Sequence, residues 1–224
     1  MYKKFFKRFL DIIFSLMFLF FFWWLYAILA IVIRIKLGSP VIFKQDRPGK
    51  DGKIFKLYKF RSMSNACDEN GELLPDSQRL TKFGRILRAS SLDELPEIWN
   101  ILKGDMSFVG PRPWAVKYLK YFTEEENRRH DVRPGLTGLA QVNGRTASNW
   151  DERLKYDIIY VNKVTLWHDI KILFLTVKKV FSKSDIVEAG CQGNFDDFRK
   201  KQWEKGIIET PDWYKYETKE KIDA

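Results

Sequence analysis

Apolar positions crowd the start of this chain and then thin into short periodic runs. From Ile12 to Ile33 there are 22 consecutive positions without a charge. A straight helix of that run is about 33 Å long at ~1.5 Å per residue, enough to reach across a bilayer. Val41 to Phe43 and Ile54 to Phe60 are rich in Val, Ile, Phe and Tyr and predict short strands. Between them, Arg47-Pro48-Gly49-Lys50-Asp51-Gly52 predicts a turn. Asn65 to Ser77 is polar and predicts a loop, and Arg79 to Arg88 a short basic helix. Leu92, Leu95, Ile98, Trp99 and Leu102 recur at helical spacing, so a helix is predicted over 92–102, with Gly104 ending it. Further helices are predicted over 114–129, 150–162 and 166–181, with a turn-rich segment over 137–145. In the last of these helices Leu166, Trp167, Ile170, Leu173, Phe174, Val177 and Phe181 share one side, away from Lys171, Lys178 and Lys179. That pattern fits a core-facing helix or one lying flat in lipid headgroups.

These elements predict an α/β (α+β) fold with a compact domain of short strands and amphipathic helices. Three parts follow: residues 1–37 as a membrane-inserted helix, 38–184 as the compact folded domain and 185–224 as a charged extension. The flanks of the apolar run sharpen the first part. Lys3, Lys4, Lys7 and Arg8 precede it, and Arg34, Lys36 and Lys44 follow it. Positive charge marks the cytoplasmic side of a membrane segment. With both ends so marked, a re-entrant helix that enters and leaves by one face satisfies the pattern better than a simple span. A cleaved signal peptide fits less well, because the run is long and no small-residue cleavage site follows it.

Charge narrows the partners. The net charge is +10 and aromatic residues make up 16% of the chain, several Trp and Tyr lying beside Lys and Arg. Such a surface attracts anions, and its aromatic content fits a lipid interface better than nucleic acid. Cys67 and Cys191 are far apart and share no metal spacing, so neither a disulfide framework nor a zinc site is expected.

The densest chemistry lies in Ser90-Ser91-Leu92-Asp93-Glu94-Leu95-Pro96. Ser90 with Asp93, and Ser91 with Glu94, have the spacing of capping boxes, and carboxylates there also suit a helix dipole. A carboxylate at a helix start can equally act as a nucleophile on phosphorus or as a ligand for Mg²⁺. Arg112 follows, fixed between Pro111 and Pro113, which suits bidentate recognition of phosphate. Within Gly138-Leu139-Ala140-Gln141-Val142-Asn143-Gly144-Arg145, Asn143-Gly144 signals a hairpin turn, while Gln141 and Arg145 could read a base or a phosphate. His130 and His168 have no partner spacing. There is no P-loop, no Gly-x-Gly-x-x-Gly and no Asp-x-Asp pair.

Taken in order, these segments resemble the bacterial sugar transferases known as small monotopic phosphoglycosyl transferases. The likeness runs from Met1 to about Ser184. It is carried by Lys56-Leu57-Tyr58-Lys59-Phe60-Arg61-Ser62-Met63, the Asp93-Glu94 segment, Lys103 to Pro113 and Arg133 to Arg145. It is strongest toward the enzyme that starts N-linked glycan assembly in epsilon-proteobacteria. The resemblance implies transfer of a sugar 1-phosphate from a UDP-sugar, for instance an N-acetylated hexose, to undecaprenyl phosphate, with release of UMP. It implies that Asp93 is the nucleophile and holds Mg²⁺, that Glu94 assists the second step and that Arg112 holds phosphate. Lys59, Arg88, Gln141 and Arg145 become candidate contacts for nucleotide and phosphate. The implied place is the cytoplasmic face of a bacterial inner membrane. A homo-oligomer stays open. One departure stands out: the family's membrane helix breaks at a Ser-Pro pair, whereas here that place holds Trp23-Trp24, so a straight spanning helix stays open beside the re-entrant one. Two rivals also stay open. A glycosyltransferase would release UDP, and a membrane-tethered basic adaptor would tolerate loss of Asp93.

Overall fold

The computed structural model describes residues 2–144, 149–182 and 193–214. After one turn of π-helix over Tyr2–Phe6, helix α1 runs unbroken over Lys7–Leu37. No Gly or Pro interrupts it. It stops where Gly38 takes φ 81° and Pro40 follows. A stripe of Asp11, Ser15, Leu29, Ile33 and Leu37 is buried against the rest of the chain, while Phe20, Trp23, Ile31 and Ile35 are exposed. The usual arrangement of an amphipathic helix is thus reversed in its first half: polar groups point inward and apolar ones out.

Strands β1 (Ile42–Pro48) and β2 (Ile54–Phe60) form an antiparallel hairpin in which Ile42 faces Phe60 and Pro48 faces Ile54. β1 continues into the segment predicted as a turn. The polar run from Lys44 to Arg47 hides it, but cross-strand pairing holds it: Lys56 lies 2.7 Å from Asp46. Pro48 is tolerated because it closes the strand. Beyond the loop come α2 (Asp76–Arg79) and α3 (Lys82–Ala89); Thr81 caps α3 by accepting the Gly84 N–H at 3.1 Å. Gly84 has no room for a side chain, since a Cβ would sit 1.9 Å from Ser62 O.

The helix predicted over 92–102 is split. A 3-10 turn covers Leu92–Glu94, and α4 covers only Glu97–Lys103, ending at Gly104 with φ 96°. Pro96 lacks the N–H that would join the two pieces. Neither expected capping box forms. Ser90 donates its hydroxyl back to Ile86 O at 2.9 Å, and Ser91 adopts a left-handed backbone with φ 56° and no side-chain cap. The inward face of α4 also differs from the apolar pattern. Asn100 is fully buried and Trp99 half exposed. Asn100 wins because its amide serves β2, donating to Lys56 O at 2.7 Å and accepting Tyr58 N–H at 3.0 Å.

Strands β3 (Ser107–Val109) and β4 (Gly135–Thr137) form a short parallel pair. Gly110 and Gly135 let them cross closely: a Cβ on Gly135 would lie 2.1 Å from Gly110 N. The helix predicted over 114–129 breaks into a 3-10 turn at Val116–Tyr121, α5 at Glu124–Asn127 and a second 3-10 turn at Arg128–Asp131. Phe122 is extended, and the Thr123–Glu126 capping box restarts the chain in a new direction. Asn143-Gly144 follows α6 (Leu139–Val142) rather than forming a hairpin. Helices α7 (Trp150–Asn162) and α8 (Leu166–Ser182) match their predicted spans closely. Helix α9 (Phe195–Glu204) brings Phe195 and Trp203 into an aromatic cluster with Trp114, Tyr121 and Trp150.

Two apolar clusters frame the centre. Leu57, Ile98, Ile101 and Met106 pack beneath α1, and Val109, Val132, Val142, Tyr160 and Ile172 pack between β3 and α8. The fold is therefore a mixed α/β body with short strands, carrying one long apolar helix along one side.

Candidate active site

Four elements converge on the acidic pair. Lys59 comes from β2, Arg88 from the last turn of α3, Asp93 and Glu94 from the 3-10 turn, and Arg112 from the segment after β3. Glu94 is the hub. Its Oε1 accepts from Lys59 Nζ at 2.7 Å and from Arg112 Nη2 at 2.5 Å. Lys59 reaches a second carboxylate, Glu97, at 3.2 Å. Burial opposes charge on Glu94, but Arg112 and Lys59 outweigh it and hold its carboxyl down at about 2. Glu94 is therefore a fixed anion that positions two cations.

Asp93 differs. It is 7% exposed, and its carboxylate forms no hydrogen bond or ion pair with the described residues. Burial pushes its pKa up, while the positive charges of Lys59, Arg88 and Arg112 pull it back. A buried carboxylate that is attracted by three cations but bonded to none keeps its lone pairs free for an electrophile. Arg88 is held by its Nε, which donates to Ser62 Oγ at 2.9 Å.

Two residues here were not singled out from the sequence. Glu97 is 2% exposed, and burial raises its carboxyl to about 7, with Lys59 opposing and Glu94 reinforcing the rise. Its signal was available, since it lies one helical turn beyond Glu94. Arg47 faces the charges of both Arg112 and Glu97, and its buried Nε has no partner. The sequence placed it in a turn and in the Arg47-Pro48-Gly49 segment of the family likeness, without a role at the site.

The other predicted contacts separate. Both amide atoms of Gln141 are shielded and without a hydrogen-bond partner, so Gln141 does not join the Glu94 network. Arg145 lies outside the described residues. His130 donates through Nδ1 to Asn127 and is buried, which together with Arg129 pulls its pKa down to about 4. It is a buried group held neutral by its surroundings.

Among the described residues no group of three His, Cys, Asp or Glu side chains is arranged to hold a metal. Glu94 and Glu97 are engaged with cations, which leaves Asp93 as the open oxygen donor. One carboxylate plus substrate phosphates is a sufficient protein share for Mg²⁺, which keeps several waters and rarely takes a full protein cage. The donor set fits.

The site thus sets a buried carboxylate, Asp93, beside the cations Lys59, Arg88 and Arg112, in a chain that also carries a long apolar helix. The sequence matches the family described as Bacterial sugar transferase over residues 2–183. The chain belongs to that family. It is 54% identical to "Uncharacterized sugar transferase EpsL" of Bacillus subtilis over 155 residues, 69% of this chain and 77% of the relative. It is 41% identical to "UDP-glucose:undecaprenyl-phosphate glucose-1-phosphate transferase" of Klebsiella pneumoniae, over 79% of this chain and 40% of the relative. It is 38% identical to "UDP-N-acetylgalactosamine-undecaprenyl-phosphate N-acetylgalactosaminephosphotransferase" of Aeromonas hydrophila, over 68% of this chain and 38% of the relative. This transferase thus spans less than half the length of the latter two.

Proposed function

We propose that this chain, a phosphoglycosyl transferase, moves a sugar 1-phosphate from a UDP-sugar to undecaprenyl phosphate and releases UMP, with Asp93 as nucleophile. The buried Asp93 carboxylate, unpaired among the described residues, carries the reading. An Asp93 oxygen attacks the sugar-linked phosphorus, the bond to UMP breaks, and an aspartyl phosphosugar forms. A phosphate oxygen of undecaprenyl phosphate then attacks the same phosphorus and returns the carboxylate. Splitting one transfer into two displacements is the general gain of a covalent intermediate. Mg²⁺ held by Asp93 and the diphosphate would neutralise phosphate charge.

Arg112 and Lys59 are placed to take phosphate oxygens, since both already grip a carboxylate of similar charge. A phosphate that captures them loosens their hold on Glu94. Glu94 then regains basicity and can accept a proton from the incoming lipid phosphate. Arg88, Gln141 and Arg145 remain proposed contacts for nucleotide and phosphate.

The lie of α1 supports a re-entrant anchor on the cytoplasmic face of the inner membrane. Arg8 donates to Ile101 O and Leu102 O at 2.5 and 2.7 Å, and Tyr26 donates to Leu95 O at 2.6 Å. Arg8 and Tyr26 are about 27 Å apart along a straight helix, yet their acceptors, Leu95 before Pro96 and Ile101 and Leu102 on α4, belong to one short stretch of chain. Between them Phe20, Phe21, Phe22, Trp23 and Trp24 are all exposed, even though the inward stripe passes through this turn. Phe18 and Leu19 still pack on Leu57, Ile98, Ile101 and Met106, and the exposed aromatic turn follows directly after them. The exposed Trp167, Ile170, Phe174 and Val177 of α8 fit the same lipid surface.

The transferred sugar is a matter for assay. The relatives named here act on glucose and N-acetylgalactosamine. The second supports an acetamido sugar; neither supports the narrower likeness to the N-glycan enzyme. Purified protein in detergent, given UDP-sugars, Mg²⁺ and undecaprenyl phosphate, should release UMP and accumulate a phosphosugar adduct that Asp93→Asn lacks. Release of UDP would overturn the proposal.

A further inference from the structure

Strand β3 leads directly into Gly110-Pro111-Arg112, so whatever fixes β3 fixes the backbone that presents Arg112. The sheet around it is minimal: two parallel strands of three residues each. Ser107 faces β4, donating its N–H to Pro134 O at 2.9 Å. Successive backbone groups of a strand alternate, so the Phe108 N–H faces away from β4. In a larger sheet a third strand would supply its acceptor. Among the described residues no such strand lies there.

The acceptor comes from the apolar helix. Asp11 Oδ1 takes the Phe108 N–H at 3.1 Å and the Ser107 hydroxyl at 3.1 Å. Asp11 is 5% exposed and Ser107 fully buried. The next residue is tied to the same helix by a second route. Val109 O lies 3.1 Å from the Tyr160 hydroxyl, which donates to Asp169 at 2.7 Å. Asp169 in turn accepts from Lys7 at 2.5 Å and Tyr2 at 2.6 Å. A membrane anchor has no use for a buried carboxylate, which only penalises its insertion. A strand with one bare edge does have a use for one.

We propose that Asp11 is a positioning residue for Arg112, with the first turns of α1 serving as the missing neighbour of β3. The helix then has two duties, seating the protein in lipid and setting the phosphate-binding arginine. The inference rests on the reading of Arg112 as a phosphate-binding group.

Binding of UDP, which is common to every UDP-sugar donor, tests it on the full chain in detergent. Dissociation constants would be compared for the parent, Asp11→Ala, Asp11→Asn, Ser107→Ala and Arg112→Ala, and for Asp11→Ala combined with Arg112→Ala. Thermal unfolding would confirm that each variant is folded. Asp11→Ala should weaken UDP on the order of tenfold, Ser107→Ala less, and Asp11→Asn within about twofold, because Asn keeps the acceptor oxygen. In the Arg112→Ala background, Asp11→Ala should add almost nothing. An equal loss in both backgrounds, or a loss of stability with UDP binding unchanged, overturns the inference alone. If Arg112→Ala itself leaves UDP binding unchanged, the reading of Arg112 falls and takes the inference with it. Should Asp11→Ala fail to fold, Ser107→Ala carries the same comparison.

Discussion

Two acidic centres in this molecule each set a buried aspartate beside a lysine and end in opposite states. Around Asp169, every strong acceptor is taken: Lys7, Tyr2 and Tyr160 all bond to it. Around Asp93, Lys59 and Arg112 are spent on Glu94 and Glu97, and Arg88 on Ser62. The first centre is complete and joins α1 to α8. The second leaves one buried carboxylate open. A saturated buried network holds a structure in place, whereas an unsaturated one keeps a group available for chemistry. The contrast lies in who bonds to whom: Lys7 and two tyrosine hydroxyls reach Asp169, whereas Lys59 and Arg112 reach Glu94 instead of Asp93.

The sharpest way to break the contrast is to remove the open carboxylate. Asp93→Asn should cut UMP release by about a thousandfold or more, with no phosphosugar adduct by mass spectrometry and an unchanged unfolding temperature. At the saturated centre, Asp169→Ala leaves a buried ammonium without a partner. It should destabilise the fold by about 3–5 kcal/mol in thermal or denaturant unfolding. Its loss of activity per folded molecule should be far smaller than for Asp93→Asn.

Glu94→Gln sharpens the contrast from within. Lys59 and Arg112 lose their common anion, and the second step loses its proton acceptor. A rapid-quench assay should still show UMP in the first turnover, while steady-state turnover falls roughly 100-fold. Equal losses in both phases would assign Glu94 to positioning alone.

Glu97 offers a pH test. Its carboxyl titrates at about 7 in the folded chain against an ordinary 4.5. Between those values the folded state holds a proton that the unfolded state has released, so stability falls as pH rises through the window. Glu97→Gln should flatten that slope and gain on the parent toward its upper end, as read from unfolding temperatures across pH. The smallest effect is expected at Lys56, whose pair with Asp46 is exposed on both sides. Lys56→Ala should change stability by less than about 1 kcal/mol and leave activity unchanged.

Much of this was legible in the chain itself. The long apolar run, the helices over 150–162 and 166–181, the adjacent Asp93 and Glu94, and Arg112 between two prolines are patterns within a few residues each. Spacing is what a sequence displays. The failures share a different cause. Asn100 displaced Trp99 from the core because β2, distant in sequence, needed its amide. Ser90 and Ser91 had capping spacing, but Pro96 and a left-handed Ser91 broke the helix they would have capped. The segment over 114–129 looked like one helix, but Thr123 restarts it at an angle.

The sequence by itself determined that a basic, aromatic-rich chain carries one lipid-length helix and an acidic pair suited to phosphate chemistry. Charge, hydrophobicity and local period are properties of neighbours along the chain. Only the tertiary structure decided that Glu94 is spent and Asp93 is free, that Glu97 and Arg47 stand beside them, and that Asp11 of α1 completes β3. Those outcomes turn on which cation reaches which carboxylate, and on burial, both of which arise when segments far apart in sequence meet in space.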